Sequence, residues 1–169
     1  MKFKYITIII AFLLFNCEKK KEVSSINPEN WLKRKIDLTS KDSLEYGKTY
    51  LSIYSEIYSF SESKKQSLTS MVSLRNTSDL DTIYLSKAEY YDTHGKSIRK
   101  YFDFSIYLAP LETIEIIIDE MDVTGGTGSN FIFEWKVPND CPDPIFEAVM
   151  SSTMSQQGIS FTTHGKKIK

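Results

Sequence analysis

The 169-residue chain carries 21 basic and 22 acidic side chains, 41% apolar residues, 13% aromatics, 7 Gly, 5 Pro and 2 Cys. That suits one domain with an appendage and excludes a disordered, collagen-like or disulfide-dense chain. A formal net charge of −1 offers no electrostatic reason to expect nucleic acid as a partner.

The N-terminus departs from the average. Residues 1–16 hold Lys2 and Lys4, no acid, and the apolar run Ile6–Phe15, broken only by Thr7. Ten residues as a helix span about 15 Å, half of a bilayer core, so the run is short for a membrane span but right for a secretory signal. It is apolar all round and lacks the stripe of a buried amphipathic helix. Leu14-Phe15-Asn16-Cys17 resembles the lipobox of bacterial lipoprotein precursors, although Asn16 stands where a small residue is usual. The resemblance implies cleavage after residue 16, lipidation of Cys17 and a cell-envelope location. Two or more acyl chains on Cys17 would make a stable membrane anchor. Without residues 1–16, 19 basic and 22 acidic groups remain, a net charge of −3.

Residues 17–45 read as a charged tether, beginning Glu18-Lys-Lys-Lys-Glu-Val-Ser-Ser25. Within it, Asn27-Pro28-Glu29-Asn30 can start a short helix that presents Trp31 and Leu32 as apolar contacts. Lys33-Arg34-Lys35 is either solvated or placed to meet anionic headgroups.

Residues 46–169 read as the folded domain. Runs rich in β-branched and aromatic residues alternate with turn residues. Thr49–Ser59 puts Leu51, Ile53 and Ile57 on one face and Tyr50, Tyr54 and Tyr58 on the other. That tyrosine strip suits either a contact surface for glycan or protein or ordinary cross-strand pairing. Further strands are expected over 67–75, 83–92, 97–101, 112–118, 130–136, 145–150 and 158–163. Gly95 in Thr93-His-Gly-Lys96 suits a hairpin turn of positive φ. Seven or eight short strands without a long amphipathic helix predict an all-β domain, a β-sandwich or small barrel, with an immunoglobulin-like antiparallel sandwich favoured.

Several segments of this domain resemble the bacterial family catalogued as domain of unknown function 3124. They are Ser73-Leu-Arg-Asn-Thr77, Tyr90-Tyr-Asp-Thr-His-Gly95, Leu108-Ala-Pro-Leu-Glu-Thr113, Gly125-Gly-Thr-Gly-Ser-Asn-Phe131 with Trp135, Glu147-Ala-Val-Met150 and Ser155-Gln-Gln-Gly-Ile-Ser-Phe161. The resemblance implies an envelope protein with an N-terminal signal and no established activity.

Chemistry is sparse. His94 and His164 both sit in Thr-His-Gly-Lys turns, poor positions for a base beside a nucleophile, and no Gly-x-Ser-x-Gly elbow occurs. Two His and one remaining Cys make a poor zinc set. Asp119, Glu120 and Asp122 precede the glycine loop 124–130, but the spacing is not that of a calcium loop, and no helix follows to make a phosphate cradle. The alternatives there are a packed connection, calcium or another ligand. The candidate ligand surface is Asp92, Asp119, Asp122, Gly125, Gly126, Asn130, Gln156 and Gln157. With Cys17 lipidated, Cys141 is a free thiol or an intermolecular bridge.

These readings lead to a membrane-anchored, non-catalytic binding or scaffolding domain, with no cofactor or metal and an envelope protein or glycan as partner. The alternatives are an envelope hydrolase working through carboxylates such as Asp92, Asp119, Glu120 or Asp122, and a calcium-dependent adhesion module.

Overall fold

The computed structural model describes residues 29–38, 43–153 and 158–169. Cys17 and the apolar run before it, together with Gln156 and Gln157, lie outside the described residues.

Twelve strands are present among the described residues, and all paired strands are antiparallel. One sheet is built from β1 (Leu44–Ile53), β9 (Ser129–Pro138), β5 (Ile83–Tyr91) and β6 (Ser97–Phe102), in that order. Short β12 (Lys166–Lys167) flanks β1, and β7 (Ile106–Leu108) also pairs with β5. The second sheet runs β11 (Ile159–His164), β10 (Ile145–Ser152), β4 (Thr69–Arg75), β8 (Thr113–Ile118). A small hairpin of β2 (Glu56–Tyr58) and β3 (Lys65–Ser67) bridges β1 to β4. The all-β expectation holds. Eight of the strands have six residues or more, and these correspond to the runs read from the sequence. The four short strands have too few residues to show a period.

Strand β9 shows why these runs become strands. Its residues alternate without exception between buried and half-buried, with Phe131, Phe133, Trp135 and Val137 turned inward. Those rings continue a stack through the core. Tyr90 lies 4.8 Å from Phe131, Phe131 5.3 Å from Phe133, and Phe133 4.4 Å from Phe146 of the opposite sheet. Offset aromatic stacking of this kind adds to the area buried between the sheets.

The central strands follow the immunoglobulin key: β4 crosses to β5, β8 crosses to β9, β4 pairs with β8, and β5 pairs with β9. The flanks are exchanged. The first strand sits beside β9, where an immunoglobulin domain places its last, and β10 sits beside β4.

The register defines two ends. Residues 54–68, 92–96 and 119–128 gather at one end, which we call the loop end, tied across the sheets by Ser55 N to Gly126 O (3.1 Å) and Leu68 N to Ser55 O (2.9 Å). Leu44 enters β1 at the other end, opposite Pro138.

Residues 29–36, within the stretch read as tether, are docked. Trp31–Arg34 forms a 3-10 turn whose cap, Asn30, accepts from Lys33 N. Trp31 packs 5.0 Å from Phe102, while Leu32 is 71% exposed. Lys35 bridges to Ile106, and Ile36 N donates to Ser105 O at 2.9 Å. Arg34 pairs with Glu29 and with Glu112 (2.8 Å). These pairings hold Arg34 against the domain, so this cation is already neutralised. No helix among the described residues is long and apolar enough to cross a membrane.

Candidate functional site

The glycine loop and the Thr93-His-Gly-Lys96 turn meet at the loop end. The turn is self-contained: Asp92 Oδ1 accepts from His94 N and Lys96 N, both at 2.9 Å, and Gly95 takes φ +77°. These backbone donors, Lys96 foremost, hold the Asp92 carboxyl below its usual range. Thr93 joins the turn to the loop. Its N and Oγ1 both donate to Gly125 O (3.1 and 3.0 Å), and Oγ1 accepts from Gly128 N at 3.0 Å.

Beneath the loop runs a buried chain of hydroxyls. Ser55 Oγ lies 2.7 Å from Tyr90 Oη, Tyr90 Oη 3.0 Å from Ser129 Oγ, and Ser129 Oγ donates to Ile53 O at 2.9 Å. Burial drives the Tyr90 hydroxyl above its ordinary pKa, so it stays a neutral donor. A Cβ at Gly125 would meet Tyr90 Oη at 1.9 Å. Glycine is therefore required because the backbone lies directly on this chain. Gly126 takes φ +74°, and its Cβ position is 2.7 Å from Thr93 Oγ1. Close approach accounts for both glycines.

The acidic approach to the loop is also engaged. Asp122 is 3% exposed; Arg99 Nη2 lies 2.8 Å from its Oδ2, and Thr124 Oγ1 donates to its Oδ1 at 2.5 Å. Asp119 Oδ1 caps the turn by accepting from Met121 N, and Glu120 Oε1 accepts from Ser152 Oγ. Among the described residues, no three His, Cys, Asp or Glu side chains gather into a metal-sized group.

A cleft of about 280 Å³ remains where turn and loop meet, lined by Tyr58, Lys65, Asp92, His94 and the 124–127 backbone. Tyr58 is 57% exposed beside Lys65, whose ammonium lies 5.8 Å from the ring centroid and pairs with Glu56. The cleft offers a stacking ring, the Lys65 ammonium and one carboxylate, which can bind a small polar ligand.

Of the residues singled out from sequence, Asp92, Gly125 and Gly126 converge on this cleft. Asp122 supports the loop from below, and Asp119 lies in the adjoining turn. Asn130 falls outside it, on the solvent face of the first sheet opposite Ser52 and Tyr91. Tyr58, Thr93 and Lys65 join the cleft through tertiary contacts, since only the β2–β3 hairpin and the Thr93–Gly125 bonds bring them to the loop. The tyrosine strip also divides. Tyr50 lies on the first sheet's outer face, Tyr54 packs edge-on against Phe161 at 5.8 Å, and Tyr58 belongs to the cleft, because strand pairing breaks at residues 54 and 55. His164 sits at the opposite end from His94, its Nδ1 3.3 Å from Glu147.

The family model described as Protein of unknown function (DUF3124) matches residues 46–168. No curated protein and no solved structure matches the chain.

Proposed function

For this chain, which belongs to the DUF3124 family of proteins of unknown function, we propose the role of a membrane-tethered, non-catalytic binding domain of the cell envelope. One observation carries the reading: the first strand of the sheets, β1, begins at one end, and the cleft opens at the other. Leu44 lies at the end remote from Asp92 and Gly125, and the docked 29–36 segment runs along the sheet edge from Trp31, against Phe102 opposite Ala88 in mid-β5, to Ile36 beside Ser105. A ten-residue strand such as β1 separates the ends by about 33 Å. A domain held through Cys17 would thus hold its cleft away from the bilayer. The lipobox-like Leu14–Cys17 supports the anchor. The non-catalytic part is supported by the acidic groups near the loop. Asp122, Asp119 and Glu120 accept hydrogen bonds that shape the fold, where a general acid or base must face a reacting group.

The test is Cys17→Ser in the full chain, followed by a fatty-acid probe and membrane fractionation. The expected result is an unprocessed, unlabelled protein. Labelling that survives the substitution overturns the anchor.

A further inference from the structure

The outer face of the first sheet assembles a surface that no single strand carries. Register aligns Tyr46 of β1 with Lys136 of β9, Tyr84 of β5 and Tyr107 of β7 in one row. The next row is Lys48, Glu134 and Lys87, and the one beyond it places Tyr50 beside Ile132 and Glu89. Tyr46, Tyr50 and Tyr107 are 40%, 37% and 37% exposed. At usual sheet spacings, Tyr46 and Tyr107 stand about 14 Å apart across the strands, and Tyr46 and Tyr50 about 13 Å apart along one.

Charge separates this face from the rest of the domain. Residues 43–169 hold 12 basic and 17 acidic side chains. Among the described residues, this face takes Lys48, Lys87, Lys100, Lys136, Lys166 and Lys169 against two acids within the sheet, Glu89 and Glu134, and Lys100 also lies 4.0 Å from Asp103, just past β6. Both acids are partly neutralised. Glu89 is 4% exposed and bound by Lys87, Tyr91 and Ser97, and Glu134 lies 3.5 Å from Lys48. Lys136 and Lys166 have no carboxylate within 4.0 Å among the described residues. An acidic domain thus shows one cationic, tyrosine-rich face.

We propose that this face binds an acidic polysaccharide, its tyrosine rings stacking on sugar faces and its lysines pairing with the polymer's carboxylate or sulfate groups. The proposal goes beyond the tethered-domain reading and concerns a surface separate from the loop-end cleft. Three features select this occupant. A polyanion is complementary to the excess of lysines. Half-exposed tyrosines lie low on a rigid sheet, which suits stacking on a flat polymer, and the apolar side chain in the middle, Ile132, is itself half-buried, which does not suit insertion into a bilayer. The lysines are interleaved with Ser52, Asn130 and Glu134, a mixed set of donors and acceptors that sugar hydroxyls require and a bare phosphate backbone does not.

The test uses the full chain in a non-ionic detergent, with polygalacturonate and dextran sulfate as probes. Unsulfated dextran and a 20-residue oligothymidylate serve as comparisons. Binding is expected to at least one acidic polymer, to weaken with salt, and to exceed binding to dextran and to the oligonucleotide. Reversing two charges in Lys136→Glu/Lys166→Glu is expected to weaken it about tenfold, and Tyr50→Ser to weaken it several-fold, with thermal stability retained. Lys64→Glu/Lys96→Glu makes the same change of net charge at the loop end and is expected to leave binding intact. No binding to either acidic polymer overturns the proposal, as does tighter binding to the oligonucleotide or equal binding by Lys136→Glu/Lys166→Glu. Loss of binding only in the loop-end variant moves the ligand to the cleft; it overturns this proposal and leaves the tethered-domain reading standing.

Discussion

Replacing Gly125 by Ala tests the account of the glycine loop at one atom. Gly125 has φ −70° and ψ −30°, a conformation any residue adopts, so alanine brings no backbone strain. The cost lies in where its methyl goes: 1.9 Å from Tyr90 Oη and 2.7 Å from both Ser55 Oγ and Ser129 Oγ. Tyr90 is fully buried and stacked on Phe131, so it has no free space into which to withdraw. Either the ring is forced aside, an overpacking cost of about 1–3 kcal/mol, or its hydroxyl leaves its partners, at about 1–3 kcal/mol for buried groups left unsatisfied. Either outcome predicts a loss of about 1–3 kcal/mol, or about 5–15 °C in Tm for a domain of this size. Urea denaturation of the full chain, followed by tryptophan fluorescence, measures it. Tyr90→Phe removes the oxygen that the methyl would strike. The double variant should therefore be less destabilised than the sum of the singles by at least about 1 kcal/mol. A Gly125→Ala loss below about 1 kcal/mol, or strict additivity with Tyr90→Phe, would refute the reasoning.

Gly47→Ala puts a methyl 2.1 Å from Trp135 Cζ2, on a ring 1% exposed and tethered through Nε1 to Thr49 Oγ1. A loss of about 3 kcal/mol is expected in the same assay. Burial alone would raise the Glu89 carboxyl, but hydrogen bonds from Lys87, Ser97 and Tyr91 hold it at about 2. Because its folded pKa lies below the unfolded value, its stabilisation is complete above about pH 5 and is lost as pH falls from about 4.5 to 2. The loss amounts to about 2–3 kcal/mol, and Lys87→Met should flatten this acid limb of the stability profile. Burial pushes the Cys141 thiol up, and Cys141 is 9% exposed. A thiol reagent at pH 7 should label the native chain about 100-fold more slowly than the chain in urea. Millimolar calcium should leave Tm unchanged, since Asp122 is already satisfied by Arg99 and Thr124 and a ligand specific to the native state would raise it.

Particular residues show what was legible and what was not. The alternation of Phe131, Phe133 and Trp135 with Ile132, Glu134 and Lys136 is local, and it became β9 in the expected phase. Gly95 in its turn took the expected positive φ. Asp92 and the glycine loop each stand out in the sequence. Their union does not, because it rests on Thr93 reaching residues 32 and 35 positions away. Trp31 stood out as an apolar residue in a polar segment, but Phe102, which receives it, lies in another strand.

The sequence by itself therefore determined the class of fold, its eight longer strands and the hairpin turn at Gly95, because side-chain period and backbone preference act between near neighbours in the chain. Only the tertiary structure decided which strands lie side by side. That choice exchanged the flanking strands of the immunoglobulin order, pressed Gly125 onto the Tyr90 hydroxyl, and collected tyrosines and lysines from separate strands onto one face. The physical reason is that pairing is set by packing between segments distant in the chain, 111 residues apart in the case of Ser52 and Thr163, and a period along one segment contains no record of its partner.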